Sequence, residues 1–164
     1  NNVEFVEKDW CNCDENEFTG QYDLVFAHNT HSIADFDTFM KMMNASRKYC
    51  FLCIPARRSD EVMDSLRLIL RRGKVKNNDS VAYIFDTIWL NGCNPEVAYE
   101  QVECKSKRTL EEAIPWYLEK LKEEKALSDE EEEKVVRFLS NVSVSGYVYE
   151  TIRTTLVNFF WKFN

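Results

Sequence analysis

Hydrophobic and polar positions fall into runs of distinct period along this chain. Val3–Val6 alternates apolar and polar residues and predicts a short strand running into a loop at Asp9-Trp10. Cys11–Gln21 is polar, with Gly20 as a turn residue. Tyr22–His28 has a nearly continuous apolar centre, as a strand covered on both faces requires. Asp35 is placed to cap a helix in which Phe36, Phe39, Met40 and Met43 recur at helical spacing. Lys48–Pro55 is a second apolar strand, stopped by Pro55. Ser59, Asp60 and Glu61 open another helix with Val62, Leu66, Ile69 and Leu70 as its stripe, ending at Arg71-Arg72-Gly73.

Lys74–Asp79 predicts a loop, the segment best suited to disorder. Ser80–Asn91 reads as a helix with Ala82, Phe85, Ile88 and Trp89 on one side. Gly92–Pro95 is a turn, and Val97–Cys104 alternates like a half-exposed strand. Thr109-x-x-Glu112 and Ser128-x-x-Glu131 are two capping boxes, opening helices that reach about Lys122 and Ser140. Pro115 bends the first or marks a late start, and the acidic run Asp129–Glu133 suits the first turn of the second. Gly146 breaks the chain, and Tyr147–Phe163 reads mostly as strand.

Within this order, Gln21–Arg58 forms one βαβ unit of an open parallel sheet. Ligands of such sheets bind at the carboxyl ends of the strands, here the polar stretch His28-Asn29-Thr30-His31.

The 164 residues suffice for one domain with a sizeable core, and 45% hydrophobic with 13% aromatic residues mark a folding chain. A net charge of −7 weighs against nucleic acid or an anionic membrane as partner. No run approaches the ~20 apolar residues of a membrane span. No signal peptide is visible, so cytoplasm with reduced thiols is the expected setting for the six cysteines. A chain that opens almost directly on a strand predicts that further sequence precedes Asn1.

The strand order, with the YDLVFA start of Tyr22–His28 and the Asp9-Trp10 pair, resembles the later half of a class I S-adenosylmethionine-dependent methyltransferase. By that resemblance Val3–Val6, Tyr22–His28, Lys48–Pro55, Val97–Cys104 and Thr154–Phe163 are the family's third to seventh strands. The implied fold is α/β: a partial doubly wound, Rossmann-like sheet, mostly parallel with an antiparallel last strand and helices on both faces. Residues 1–164 would form a single α/β domain, the carboxyl-terminal part of the methyltransferase domain. The family's glycine-rich loop and ribose-binding acid are not in the chain, whose four glycines stand alone at 20, 73, 92 and 146. Roughly two βα units, or ~60–90 residues, would be lacking. S-adenosylmethionine is the implied cofactor, with weak or absent binding by this chain alone, and the acceptor is an unspecified small molecule.

The resemblance places Asp9 and Trp10 beside the cofactor adenine, and Ala27, His28 and Asn29 along the cofactor rim. His31 is the candidate base for an acceptor that must lose a proton, since imidazole titrates near neutral pH. Arg57 and Arg58 would hold an acceptor carboxylate or phosphate. Plainer readings stand beside these: Asp9 capping a loop, Trp10 in the core, His31 lining an exposed turn, and Arg57-Arg58 as a solvated pair. Cys11-x-Cys13 and Cys50-x-x-Cys53 bring zinc to mind, but an odd spacing in a strand points Cys50 and Cys53 to opposite faces, so no metal is assigned. The other function classes are a non-catalytic α/β binding module and a zinc-stabilised module. With its first two strands missing, the sheet would leave Tyr22–His28 as an edge, covered either by Val3–Val6 or by a homodimer.

Overall fold

A computed structural model describes residues 3–73 and 80–163. The fold is α/β. The elements are β1 (Tyr22–His28), α1 (Phe36–Ala45), β2 (Ser46–Asp60), α2 (Glu61–Ile69), α3 (Ser80–Leu90), β3 (Glu96–Thr109), α4 (Leu110–Glu124), α5 (Asp129–Val142) and β4 (Tyr147–Lys162). The strands form a mixed four-stranded sheet in the order β1-β2-β4-β3. β1 and β2 are parallel, with Val25 beside Cys50 and Phe26 beside Phe51. The last strand runs the other way. Near its end the Phe163 N–H donates to the carbonyl of Lys48, at the start of β2, at 2.9 Å. Gln101 faces Thr155 and Glu103 faces Arg153 across β3 and β4, the falling register of an antiparallel pair.

Three expectations are corrected. Residues 3–9 take no regular structure, so Val3–Val6 neither forms a strand nor covers β1; Val3, Phe5 and Val6 are exposed. Alternation alone does not make a strand without a neighbour to share its backbone hydrogen bonds. The sheet is consequently four-stranded and mixed, with a different order from the one expected. β2 runs through Pro55 to Asp60. Residue 55 turns its nitrogen toward β1 beyond His28, the last paired residue there, so a proline removes no ladder bond. Lys74–Asp79 lies outside the described residues.

The chain divides into two compact units. In the first (described residues 3–56, 80–100 and 156–163), α1 and α3 cover one face of the sheet. Cys50, Leu52 and Ile54 of β2 and Val157, Phe159 and Trp161 of β4 pack there against Phe39, Met42, Met43, Ile84 and Ile88. Each large side chain so buried contributes about 1.5–3 kcal/mol. The helix faces differ in part from the spacing argument. Met42 replaces Phe36 on the buried side of α1, and Ile84, Thr87 and Ile88 are the buried residues of α3, leaving Phe85 and Trp89 outside. An aromatic-rich helix has several apolar faces, and periodicity alone does not choose among them.

The second unit (described residues 57–73 and 101–155) packs α2, α4 and α5 around Leu66, Tyr117, Leu121, Val135, Leu139 and Val148. Both capping boxes close as the sequence indicates, with Thr109 and Glu112 bonded reciprocally at the start of α4 and Ser128 and Glu131 at the start of α5. α4 begins at Leu110 and carries Pro115 inside it.

Candidate functional site

In the first unit, the apolar run of β1 ends at His28, and the polar residues after it turn the chain into α1. Asn29 takes a left-handed conformation (φ 46°), which asparagine tolerates better than most residues. Its N–H donates to the Cys53 carbonyl at 2.9 Å, carrying the parallel ladder one residue past the strand. The Thr30 hydroxyl donates to Ser32 Oγ at 3.1 Å, and the Asp35 carboxylate accepts from the Thr38 N–H at 2.9 Å to cap α1. The Thr38 N–H and hydroxyl bonds hold the Asp35 carboxyl below its usual range.

His28 and His31 are both exposed, and the His28 ring lies parallel to Phe26 with centroids 6.1 Å apart. This corner thus presents two imidazoles to solvent. Ala27 faces the other way, packed against the covered core.

Asp9 and Trp10 sit in a loop that folds onto α1. The Asp9 carboxylate accepts from the Cys11 N–H at 3.0 Å and from Asn12 Nδ2 at 2.6 Å. The Trp10 indole N–H donates to the Thr38 carbonyl at 3.2 Å, and its ring lies 5.6 Å from that of Phe18. Lys41 Nζ gathers the carbonyls of Trp10 and Cys13, each at 2.9 Å. The Asp9 carboxylate and the Trp10 indole N–H are thus engaged within the protein.

A Cβ at Gly20, Gly73, Gly92 or Gly146 would meet no protein atom within 4 Å, and the four stand apart in the chain. Among the described residues no group of three or more His, Cys, Asp or Glu side chains could hold a metal ion. Cys50, Cys53 and Cys93 are buried, and burial pushes the Cys50 thiol up to about 12.

In the second unit, Arg57 and Arg58 are exposed and belong to β2 itself, rather than to a segment following it. This unit also holds a polar cluster that sequence reasoning missed. Glu150 of β4, 3% exposed, accepts from Tyr117 Oη at 2.8 Å, Ser106 Oγ at 2.9 Å and Arg108 at 3.0 Å. The Arg108 guanidinium lies 4.0 Å over the Trp116 ring. Burial raises the Glu150 carboxyl, but the bonds from Tyr117, Arg108 and Ser106 and the Arg108 charge outweigh it and leave the group below its usual range. Asp60, also buried, is raised by burial against the bond it accepts from the Met63 N–H. One signal was available: Glu150 places a charge between Val148 and Ile152 on one face of the strand, at a position that should be apolar. With three donors the carboxylate is fully engaged, so the cluster binds the unit together rather than offering an open site. A shallow depression of about 470 Å³ on α5 is lined by Asp129, Glu132, Glu133, Val136 and Arg137, and by none of the candidate residues.

No helix among the described residues is long and apolar enough to cross a membrane. No protein-family model matches the chain, and no curated protein sequence matches it. Among solved structures, the chain is similar to Phospholethanolamine N-methyltransferase 2 of Haemonchus contortus in complex with phosphomonomethylethanolamine and S-adenosylhomocysteine. The two share 16% identity over 92% of this chain and 35% of that one, so this chain spans about a third of that protein's length. At a TM-score of 0.34 the likeness bears on neither fold nor activity.

Proposed function

We propose that this chain is the carboxyl-terminal portion of a class I S-adenosylmethionine-dependent methyltransferase domain, acting in the cytoplasm on a small-molecule acceptor and inactive by itself. The observation that carries this reading is the parallel β1–α1–β2 unit followed by a last strand, β4, that enters the sheet antiparallel. In the complete domain, the corner after β1 would lie on the rim shared by cofactor and acceptor, with Ala27, His28 and Asn29 on the cofactor side. His31 would take the acceptor proton where one must leave. Arg57 and Arg58 would meet an anionic acceptor, and Asp9 and Trp10 would flank the adenine, the carboxylate accepting from its exocyclic amine and the indole packing on its ring.

A second reading, a non-catalytic α/β binding module, is favoured by one observation: the four glycines stand apart at 20, 73, 92 and 146, so the chain carries no glycine-rich loop. Calorimetric titration with S-adenosylhomocysteine separates the two, using this chain and a longer one carrying whatever the gene encodes before Asn1. The methyltransferase reading expects binding by the longer chain and little or none by this one. Tight binding by this chain alone would refute the claim that the cofactor floor lies outside it. Binding by neither would leave the module.

A further inference from the structure

We infer that the outer edge of β1 is a docking edge for a second copy of this chain. The backbone sets this up. Because the Asn29 N–H donates to β2, strict alternation along a parallel ladder turns Val25 and Ala27 toward β2 as well. Leu24, Phe26 and His28 then direct their N–H and C=O groups to the other side, where no strand follows among the described residues. The same residues carry exposed side chains: Leu24 is 50% and Phe26 61% exposed, with Tyr22 at 47% in line with them.

The edge also lacks the features that keep edge strands single, since it has no proline and no lysine. Its one formal charge, Asp23, is held within the chain by Arg47 at 2.8 Å and Lys48 at 3.0 Å. The ladder irregularity is confined to Tyr22–Leu24, which leaves Leu24–His28 regular.

A second copy fits this edge by its own symmetry. Set antiparallel about a two-fold axis at Val25, the two strands place Leu24 opposite Phe26 and Tyr22 opposite His28, so the outward-facing residues meet as hydrogen-bonded pairs. Asp23 falls opposite Ala27, and no like charges face each other. The contact is small, well under the ~800 Å² per partner of a standard interface, so the dimer dissociates on dilution. The inference concerns the 164-residue chain: on the methyltransferase reading, strands encoded before Asn1 would cover this edge in the longer chain, so cofactor titration of the longer chain tests that reading and self-association of the 164-residue chain tests this one.

Sedimentation of the 164-residue chain over a dilution series provides the test, with circular dichroism to confirm folding. Leu24→Pro removes an N–H that points to the open edge and leaves the β2 ladder whole; Leu24→Lys places a charge in the row without touching the backbone. Trp89→Ser, on the outer side of α3, serves as control. The wild-type chain should form dimers that dissociate on dilution. Both Leu24 variants should self-associate at least about tenfold more weakly, and Trp89→Ser should not differ. A wild-type chain that stays monomeric throughout would overturn the inference. So would a folded Leu24→Lys chain that dimerises like the wild type, or loss of the dimer in Trp89→Ser.

Discussion

The Tyr117 hydroxyl donates to Glu150 at 2.8 Å in the interior of the second unit, joining α4 to β4. Tyr117 itself is fully buried, and burial together with the Glu150 carboxylate pushes its phenol far above the usual range. Tyr117→Phe removes a hydrogen bond to a charged acceptor and should cost about 1.5–3 kcal/mol in urea denaturation. Glu150→Ala strands the Tyr117 hydroxyl and the Arg108 guanidinium together and should cost more, about 3–5 kcal/mol.

Glu150 and Asp60 give opposite pH signatures. Glu150 is depressed in the folded state, so its contribution is complete above the ordinary glutamate range and fades as pH falls through the lowered value. The stability gap between wild type and Glu150→Gln should therefore be widest near neutrality and narrow in acid. Asp60 is raised, so its ionisation opposes folding as pH climbs through the usual aspartate range and beyond. Asp60→Asn keeps an N-cap acceptor for the Met63 N–H and should stabilise the protein at neutral pH, with the gain shrinking in acid. Denaturation series at several pH values would show both; parallel curves for wild type and Asp60→Asn would refute the assignment.

Lys41 holds the loop of Asp9 and Trp10 against α1 through carbonyls of that loop. Lys41→Met keeps the apolar stem and leaves those carbonyls without their donor. Limited proteolysis should then cut within Cys11–Gly20 at least about tenfold faster, because local opening costs less by roughly the 1.5–3 kcal/mol of a charged hydrogen bond. Unchanged cleavage would show that the Trp10–Thr38 bond suffices.

Thiol labelling reads burial directly. Cys11 and Cys104 are exposed and should react in the native protein, whereas Cys50, Cys53 and Cys93 should label only on unfolding. Burial raises all three of the latter, which further lowers their thiolate fraction. Mass spectrometry of peptides from folded and unfolded samples would tell them apart.

Elements whose chemistry is local were legible in the sequence. Thr109 with Glu112 and Ser128 with Glu131 fix their helix starts through bonds between neighbours in the chain. Features that depend on distant partners were not. Val3–Val6 has the alternation of a strand and lacks the neighbour that would make it one. Pro55 would stop a central strand and does not stop β2, because its position relative to the end of β1 cannot be read from the sequence of β2 alone. Phe85 and Trp89 of α3 stack on each other, centroids 6.3 Å apart, while smaller Ile84 and Ile88 take the core. At the candidate site, His28, Asn29 and His31 stand at a strand end as expected, whereas the engagement of Trp10 depends on Lys41 and Thr38, far along the chain. Glu150 was the reverse case, visible as a misplaced charge but without its partners.

The uncovered face of the first unit has a bearing on solubility. Leu24, Phe26 and Phe160 meet water there, and Tyr49 stacks on Phe160 beside them. At neutral pH a net charge of −7 adds mutual repulsion that limits association beyond the weak edge-to-edge dimer. With an isoelectric point near 5.0, mild acid cancels that repulsion while the aromatic surface remains, so the protein should be least soluble there and should regain solubility on either side.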